Sequence, residues 1–444
     1  MALHKGLQNK GFKLPTCEKH FHDHDETWMI MKGKGTAYWI DPSGNREEFE
    51  LEGGDVWMIP AGYEHGTDGF PDTGQNTEDF TISTFIGTMP PGSHKPGHYY
   101  VEEEGYIPSL ELRKTPSRRY DPALPETMKA FVFPEKGKMT IEDVAMPECE
   151  PGMVLCESIY GGLTNGTSRN ALVGGNYGRS WPARPGYQNV GKVLTVGDGV
   201  DRFKVGDLIF SGQHRKHSQY FTTPATEESF VVTLPESVDP RHAALFGVAS
   251  VAMHDVRRAE TKLGENVLVV GAGPVGQFTA QAARLSGAIV TICDLNEKRL
   301  AIAEELGAHQ AITVTTDGES WNAIEEAGPF DVVFEDSGAP ILDQVIGPDW
   351  HQGVLKHRSR VVIIAGRERV DYSFNAGQGY ELCILQASHF TRDDLEQVCR
   401  LTAEGQLQID PIIQDVVPAS EADSIYNRLR DDPASLFGVV FDWT

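Results

Sequence analysis

Asn266-Val-Leu-Val-Val-Gly-Ala-Gly-Pro-Val-Gly276 is the stretch that decides how the chain reads. Val267 to Val270 are four consecutive apolar residues, the composition of a short strand buried on both faces. Gly271, Gly273 and Gly276 follow in a G-x-G-x-x-G spacing, and Gln277–Leu285 continues as a helix. A second apolar run, Ala288–Ile292, ends on Asp294. The order is therefore strand, tight turn, helix, strand, acid. Gly271 permits the sharp turn, Gly273 lets a pyrophosphate approach the backbone, and Gly276 lets helix and strand pack closely. With Pro274 and Val275 the turn opens a helix N-terminus, whose N–H groups and partial positive charge suit phosphate. Asp294 stands roughly 20 residues beyond the turn, where a carboxylate holds both ribose hydroxyls and repels a 2′-phosphate. The stretch predicts dinucleotide binding, with NAD favoured over NADP.

The chain has 444 residues, enough for several domains, and a formal charge of −25 with acids spread throughout. So negative a field argues against nucleic acid and anionic membrane surfaces as partners. Cys17, Cys149, Cys156, Cys293, Cys383 and Cys399 never form C-x-x-C, which points to neither a disulfide framework nor a cysteine-rich zinc knot. The first ten residues lack an apolar core, and no window approaches about 18 uninterrupted apolar residues. The expectation is a cytoplasmic protein with a small-molecule substrate.

Short strands and turns dominate Lys13 to about Gly87, with turn signals at Asp41-Pro-Ser-Gly44 and Gly53-Gly54-Asp55. In His20-Phe-His-Asp-His-Asp-Glu26 a strand would put His20, His22, His24 and Glu26 on one face. Imidazoles beside a carboxylate suit zinc, iron, manganese or nickel. Gly54, Pro60-Ala-Gly62 and His65 form a second cluster. Together these segments resemble the two signatures of the cupin family: His20-x-His22, Glu26 and Gly33, then Gly54, Pro60-x-Gly62 and His65. The resemblance implies a small β-barrel over residues 1–90 with a divalent metal held by His20, His22, Glu26 and His65. His24 is outside the family's ligand pattern, and Gly69 stands where the second signature usually ends in Asn. A metal-free barrel that only binds a ligand stays open at this point. Trp28, Trp39 and Trp57 read as core. Residues 91–127, dense in proline and mixed charge, read as a linker.

A new beginning appears at Met128-Lys-Ala-Phe-Val-Phe-Pro134. Strand-like segments follow at Val154–Ile159, Val190–Val196, Leu208–Phe210 and Phe230–Leu234. Beyond the glycine turn come Val332–Gly338, Arg360–Gly366 and Leu382–Gln386, then a helix at Asp393–Gly405 and a last strand at Val439–Phe441. Met128-Lys-Ala, Pro185-Gly-Tyr-Gln-Asn-Val-Gly191, Gly206-Asp207, the glycine turn, and Asp294 followed by Arg299 together resemble the medium-chain dehydrogenase/reductase family. The resemblance implies a GroES-like catalytic domain, residues 128–249 and 391–444, interrupted by a Rossmann domain, residues 250–390, built on an α/β doubly wound parallel sheet. It also implies that Arg299 packs by the adenosine and that Ser337, Gly338 and Ala365 lie near the nicotinamide. By the same analogy the chain is a homo-oligomer.

Zinc members of that family carry Cys-Gly-Thr-Asp where this chain has Asn165-Gly-Thr-Ser168. They carry Gly-His-Glu where it has Gly186-Tyr-Gln188, and a further ligand near Gly247. Asn, Tyr and Gln are poor zinc ligands. A side chain must then manage the hydroxyl proton that zinc would otherwise release. Tyr187, Thr167 and Asn165 occupy the zinc neighbourhood, and a tyrosine serves if a neighbour lowers its pKa from about 10. His214, His217 and His254 are alternatives. Asn165, Asn170, Asn176, Tyr177, Trp181, Gln188 and Asn189 form an uncharged polar and aromatic set suited to a sugar, cyclitol or other polyol. The leading expectation is a zinc-independent, NAD-dependent oxidoreductase of hydroxyl groups whose cupin part binds or isomerises the substrate. A quinone or enone reductase, and a non-redox protein with a cupin sensor, are the alternatives.

Overall fold

The computed structural model describes residues 20–22, 26–32, 34–41, 45–60, 63–68, 81–86, 98–100, 124–178, 180–213, 216–316 and 319–444. The chain divides into two compact units, Met1–Leu124 and Pro125–Thr444. His24, the turn-signal residues Ser43 and Gly44, the signature glycines Gly33 and Gly62, and Gly69 and His214 lie outside the described residues.

The first unit contains β1 (His20–His22), β2 (Glu26–Lys32), β3 (Lys34–Ile40), β4 (Arg46–Glu52), β5 (Val56–Ile59), β6 (Glu64–Asp68), β7 (Thr81–Ile86) and β8 (His98–Tyr100). They form two antiparallel sheets, ordered β4-β3-β6-β1-β8 and β5-β2-β7. Trp28 and Trp57 are buried with Ala37, Leu51 and Ile59, and Trp39 stacks on Trp57, so the three indoles pack into this unit's core. One feature departs from the sequence reading. His98–Tyr100, inside the stretch read as linker, is a strand paired with β1. Two tyrosines favour extended backbone there, and the prolines around them masked that preference.

In the second unit β9 (Thr127–Val132) pairs with β10 (Thr140–Ala145). A larger sheet runs β15 (Val231–Thr233), β13 (Leu208–Ser211), β12 (Asn189–Val196), β11 (Met153–Gly162), β23 (Gly438–Asp442) and β22 (Ile413–Pro418), with β14 (Tyr220–Pro224) also on β11. β23 comes from the end of the chain, so the backbone returns to its first sheet after an excursion.

The excursion is a six-stranded parallel sheet. Its order is β18 (Gln310–Thr313), β17 (Ile289–Asp294), β16 (Asn266–Val270), β19 (Phe330–Glu335), β20 (Leu355–Ile363) and β21 (Cys383–Gln386). Its apolar runs are unbroken because both faces are covered. Val267 and Val269 enter one core cluster, while Leu268 and Val270 enter another. Val332 and Phe334 join the first, Val333 the second. Period-two alternation thus supplies two cores from one strand.

The helices that matter below are α1 (Asn165–Leu172), α2 (Phe246–Arg258), α3 (Pro274–Leu285), α4 (Glu297–Glu305), α5 (Arg392–Ala403) and α6 (Ala422–Asp431). α2 runs through the domain boundary drawn at 249/250. Among the described residues no helix is long and apolar enough to cross a membrane.

α2 also carries a buried acid. Asp255 is 1% exposed, and neither of its carboxyl oxygens meets a hydrogen-bond partner among the described residues. Burial, reinforced by the charges of Asp336 and Asp394, pushes its pKa from 3.8 up to about 9. Asp336, just beyond β19, is pushed by burial to about 7, with the Thr279 hydroxyl pulling it back. The folded state therefore holds protons that the unfolded chain releases, so the Asp255 contribution weakens stability progressively as pH climbs from the ordinary carboxyl range towards about 9. Asp255→Asn keeps the shape and removes the titration. Melting followed at about pH 5 and about pH 9 should show the variant gaining on wild type at the higher pH, by roughly 1–3 kcal/mol. A wild-type advantage that is the same at both pH values would contradict this account.

Candidate functional site

The site is built where β16 and β19 end side by side. Gly271 turns the chain at φ 103°, in the left-handed region that favours glycine, and a Cβ there would stand 3.0 Å from the Ser337 nitrogen. At Gly276 a Cβ would stand 1.8 Å from the Gly271 carbonyl oxygen, so the first turn of α3 lies directly on the end of β16. At Gly273 a Cβ would meet nothing within 4 Å. The three glycines thus do different work: one turns the chain, one allows the helix to approach, and one leaves open space in front of the helix. Gly273 is the N-cap of α3, no side chain caps it, and Pro274 occupies the first position, where a missing N–H is harmless. Open space facing uncapped first-turn N–H groups fits a pyrophosphate.

Asp294 closes β17. One carboxylate oxygen accepts the Ala272 N–H at 2.6 Å and the other accepts the Asn296 N–H at 2.8 Å. The acid therefore braces the glycine turn from the neighbouring strand. A carboxylate offers about four lone-pair sites, so this bracing leaves acceptors for ribose hydroxyls. Arg299 stands in α4. Its guanidinium donates to the carbonyls of Ala434 at 2.8 Å and Leu436 at 2.9 Å and lies over the Phe437 ring.

Ser337, Gly338 and Ala365 do come together. A Cβ on Gly338 would lie 3.3 Å from that of Ala365, and Gly271 abuts Ser337. Sequence reasoning missed what holds them there. Glu335, fully buried at the end of β19, accepts the N–H groups of Ser337 and Gly338 at 3.1 and 2.9 Å and the Ser337 hydroxyl at 2.5 Å. Its second oxygen takes Arg367, which also donates to the Ala365 carbonyl at 3.1 Å. A lone buried carboxylate is costly, and this one is paired and saturated. The signal was present as an acid closing an apolar strand and an arginine just after the next.

On the facing side, the Asn165 amide nitrogen donates to the Leu436 carbonyl at 3.1 Å, which fixes the flip of the group. Its oxygen is buried without a partner among the described residues and can accept from a hydroxyl. Thr167, two residues further along α1, is half-buried. Tyr187 is buried, and burial raises its pKa to about 12, against a small opposing pull from the Thr164 hydroxyl. The condition under which a tyrosine would serve as base, a neighbour that lowers its pKa, is therefore not met here. Gln188 is fully buried and saturated: its NH2 reaches the Gly162 carbonyl and the Thr164 hydroxyl, and its oxygen accepts the Val248 N–H at 2.9 Å. A Cβ on Gly247 would come 2.7 Å from both the Gln188 oxygen and the Tyr187 ring.

The alternative histidines are committed elsewhere. His217 is fully buried between Phe131 and Phe441, its Nε2 faces the Gln188 carbonyl, and burial holds its pKa down at about 4. His254 meets Asp394 at 2.8 Å, joining α2 to α5. His389, which the sequence did not single out, packs its ring on Tyr187. Of the polar set, Gln188 is spent on the protein and the Trp181 ring packs with an apolar cluster. Asn170 accepts the Tyr177 N–H at 2.8 Å, and Tyr177 is 59% exposed with its hydroxyl above Gly366.

Residues 274–404 match the family described as zinc-binding dehydrogenase. 2-Dehydro-3-deoxy-L-galactonate 5-dehydrogenase of Pseudoalteromonas atlantica is 29% identical, over 59% of this chain and 83% of its own. D-xylulose reductase of Saccharomyces cerevisiae is 27% identical, over 65% of this chain and 90% of its own. A short chain alcohol dehydrogenase from Escherichia coli CFT073, solved with NADH, superposes with a TM-score of 0.63 at 18% identity, covering 72% of this chain and 100% of that one, which shows a shared fold. The second unit contains a zinc-type, medium-chain alcohol dehydrogenase-like domain over residues 274–404. The enzyme is a nicotinamide-dependent oxidoreductase.

At the positions that the resemblance pairs with zinc ligands stand two amides, Asn165 and Gln188, the phenol of Tyr187, whose pKa burial raises, and Gly247, where a Cβ would crowd the Tyr187 and Gln188 side chains; such a donor set does not suit zinc. Among the residues of the second unit that the structure describes, no group of three or more His, Cys, Asp or Glu could hold a metal.

The glycines make separable predictions. Gly273→Ala should fold with unchanged melting, while NADH titrated by fluorescence binds at least about tenfold more weakly, or about 1.4 kcal/mol. Gly276→Ala should instead lose stability, by roughly 1–3 kcal/mol, because a carbonyl must move. Equal NADH affinity in Gly273→Ala and wild type would remove the phosphate from this turn.

Proposed function

We propose that the protein oxidises a hydroxyl of a sugar, cyclitol or other polyol, or reduces the matching ketone, with NAD and without zinc at the reacting oxygen. The observation that carries this reading is the crowded position at Gly247, where Tyr187 and Gln188 fill the volume that a metal ligand would need. NAD, when bound, supplies the hydride acceptor. Gly271, Gly273, Pro274, Val275 and Gly276 receive its pyrophosphate, Asp294 its ribose, and Ser337, Gly338 and Ala365 its nicotinamide end. Arg299 exchanges its carbonyl partners for the adenosine. Asn165 and Thr167 bind the hydroxyl beside Tyr187. Asp294 supports NAD over NADP because its carboxylate, braced by two N–H groups, faces the place of a 2′-phosphate. The names of the two sequence relatives support a sugar or polyol substrate.

The first unit is read as a cupin that holds a divalent metal (zinc, iron, manganese or nickel) at His20, His22, Glu26 and His65, and that isomerises or binds the substrate. Two observations support it. The backbone pairs His20 opposite His65 across β1 and β6. His65 is fully buried, and its Nδ1–H donates to the Tyr63 carbonyl at 3.0 Å, which directs Nε2 as the coordinating atom.

A screen of NAD reduction over xylitol, sorbitol, myo-inositol and sugar acids, before and after exhaustive EDTA dialysis, tests both halves. Turnover should survive dialysis within about twofold. Metal analysis should find about one divalent ion per chain in wild type and none in His20→Ala plus His65→Ala. Loss of oxidation on EDTA treatment, restored by zinc, would overturn the zinc-independent reading. Asp294→Ala should erode the preference for NAD over NADP by about tenfold or more, read from kcat/KM for each cofactor.

A further inference from the structure

We propose that Arg367 is a positioning residue for hydride transfer. Through Glu335 and the Ala365 carbonyl it holds the ends of β19 and β20 in the arrangement that aims the nicotinamide at the substrate. The proposal rests on the reading of this enzyme as an NAD-dependent oxidoreductase whose nicotinamide end meets Ser337, Gly338 and Ala365.

The ladder between these two parallel strands stops at the pair Glu335 and Ile363. Beyond it the Ile364 and Ala365 N–H groups reach the Glu335 carbonyl at a long 3.3 and 3.4 Å. Ligands of open parallel sheets bind outside such strand ends. The part of the sheet that meets a cofactor is thus the part that the regular ladder no longer fixes.

Side chains take over there. One Glu335 oxygen gathers the Ser337 N–H, the Ser337 hydroxyl and the Gly338 N–H, so the chain leaving β19 turns around a single atom. Gly338 completes that turn at φ 73°, in the left-handed region. The other Glu335 oxygen meets the Arg367 guanidinium, whose Nε–H donates to the Ala365 carbonyl at 3.1 Å. Arg367 belongs to the chain leaving β20, so its fork joins the two strand ends. Arginine suits this role because its donors lie in one plane at fixed angles.

Stability alone does not account for the pair. Glu335 is fully buried, and the Arg367 side chain is 17% exposed. Replacing a buried ion pair by well-packed apolar groups is often neutral for stability, so the distinctive contribution of this pair is a fixed geometry. The glycine turn is braced separately, by Asp294, so the phosphate and ribose contacts should survive the loss of Arg367. The reacting ring is more sensitive, since a misplacement of about 1 Å costs on the order of a hundredfold in rate. In the step itself the carbinol C–H bond breaks and its electron pair passes as hydride to oxidised NAD. The hydroxyl O–H bond breaks and its proton leaves to water, giving the ketone, NADH and a proton. Arg367 keeps its own protons throughout.

Two variants test this. Arg367→Lys keeps a cation beside Glu335 and gives up the planar fork. Arg367→Met with Glu335→Gln removes both charges, and the Gln oxygen can still accept from Ser337 and Gly338. The double variant leaves no unpaired buried charge, so it should fold even if Arg367→Lys does not. NADH affinity by calorimetry should stay within about threefold of wild type in both. The fluorescence lifetime of bound NADH, which reports how firmly the nicotinamide ring is held, should shorten towards that of free NADH. On the fastest polyol of the screen, the single-turnover rate of hydride transfer should fall about tenfold in Arg367→Lys and about a hundredfold in the double variant. A wild-type lifetime and a wild-type transfer rate in the double variant would overturn the proposal. So would an NADH affinity that falls as far as the rate, since the pair would then build the pocket without aiming the ring. If the wild type oxidises no polyol and the lifetimes still shorten, the substrate reading fails and Arg367 keeps its role.

Discussion

The contact on which the second unit depends is the one between the first turn of α3 and the end of β16. A Cβ on Gly276 would come within 1.8 Å of the Gly271 oxygen, so that distance exists only because nothing but hydrogen is there. Much else is referred to it. The close helix lets Asp294 reach across from β17 and hold the Ala272 N–H. The sharp turn brings Gly271 against Ser337, and Glu335 with Arg367 then ties Ser337, Gly338 and Ala365 into one rigid edge. The glycine turn and the edge formed by Ser337, Gly338 and Ala365 are thus two ends of one backbone arrangement.

Opposite that edge, Gln188 and Tyr187 fill the interior beside the catalytic sheet. The Gln188 amide meets a carbonyl, a hydroxyl and an N–H, so it is buried without an unpaired group. Tyr187 takes the remaining space, and the burial that makes it fit is also what keeps its proton on. Packing and chemistry therefore pull on this tyrosine together: it is held well and is a poor base.

The nucleotide domain was legible because each of its parts has a local cause. Unbroken apolar runs mean strands covered on both sides, and the Gly271, Gly273 and Gly276 spacing sits between a strand and a helix. Three features were not legible. His98–Tyr100 hid as a strand among prolines, because its pairing with β1 is a long-range event. Glu335 and Arg367 are 32 residues apart in sequence and meet only when β19 and β20 lie side by side. The proximity of His389 to Tyr187 likewise depends on the chain leaving one sheet and abutting another. The direction of the Tyr187 pKa shift was open in the sequence, because burial is a property of the fold.

The Leu436 carbonyl serves two donors at once, Asn165 from the catalytic helix and Arg299 from the nucleotide domain. This oxygen joins the helix that carries Asn165 to the helix that carries Arg299 through a single peptide unit, so a substitution that shifts the Leu436 carbonyl disturbs both side chains together.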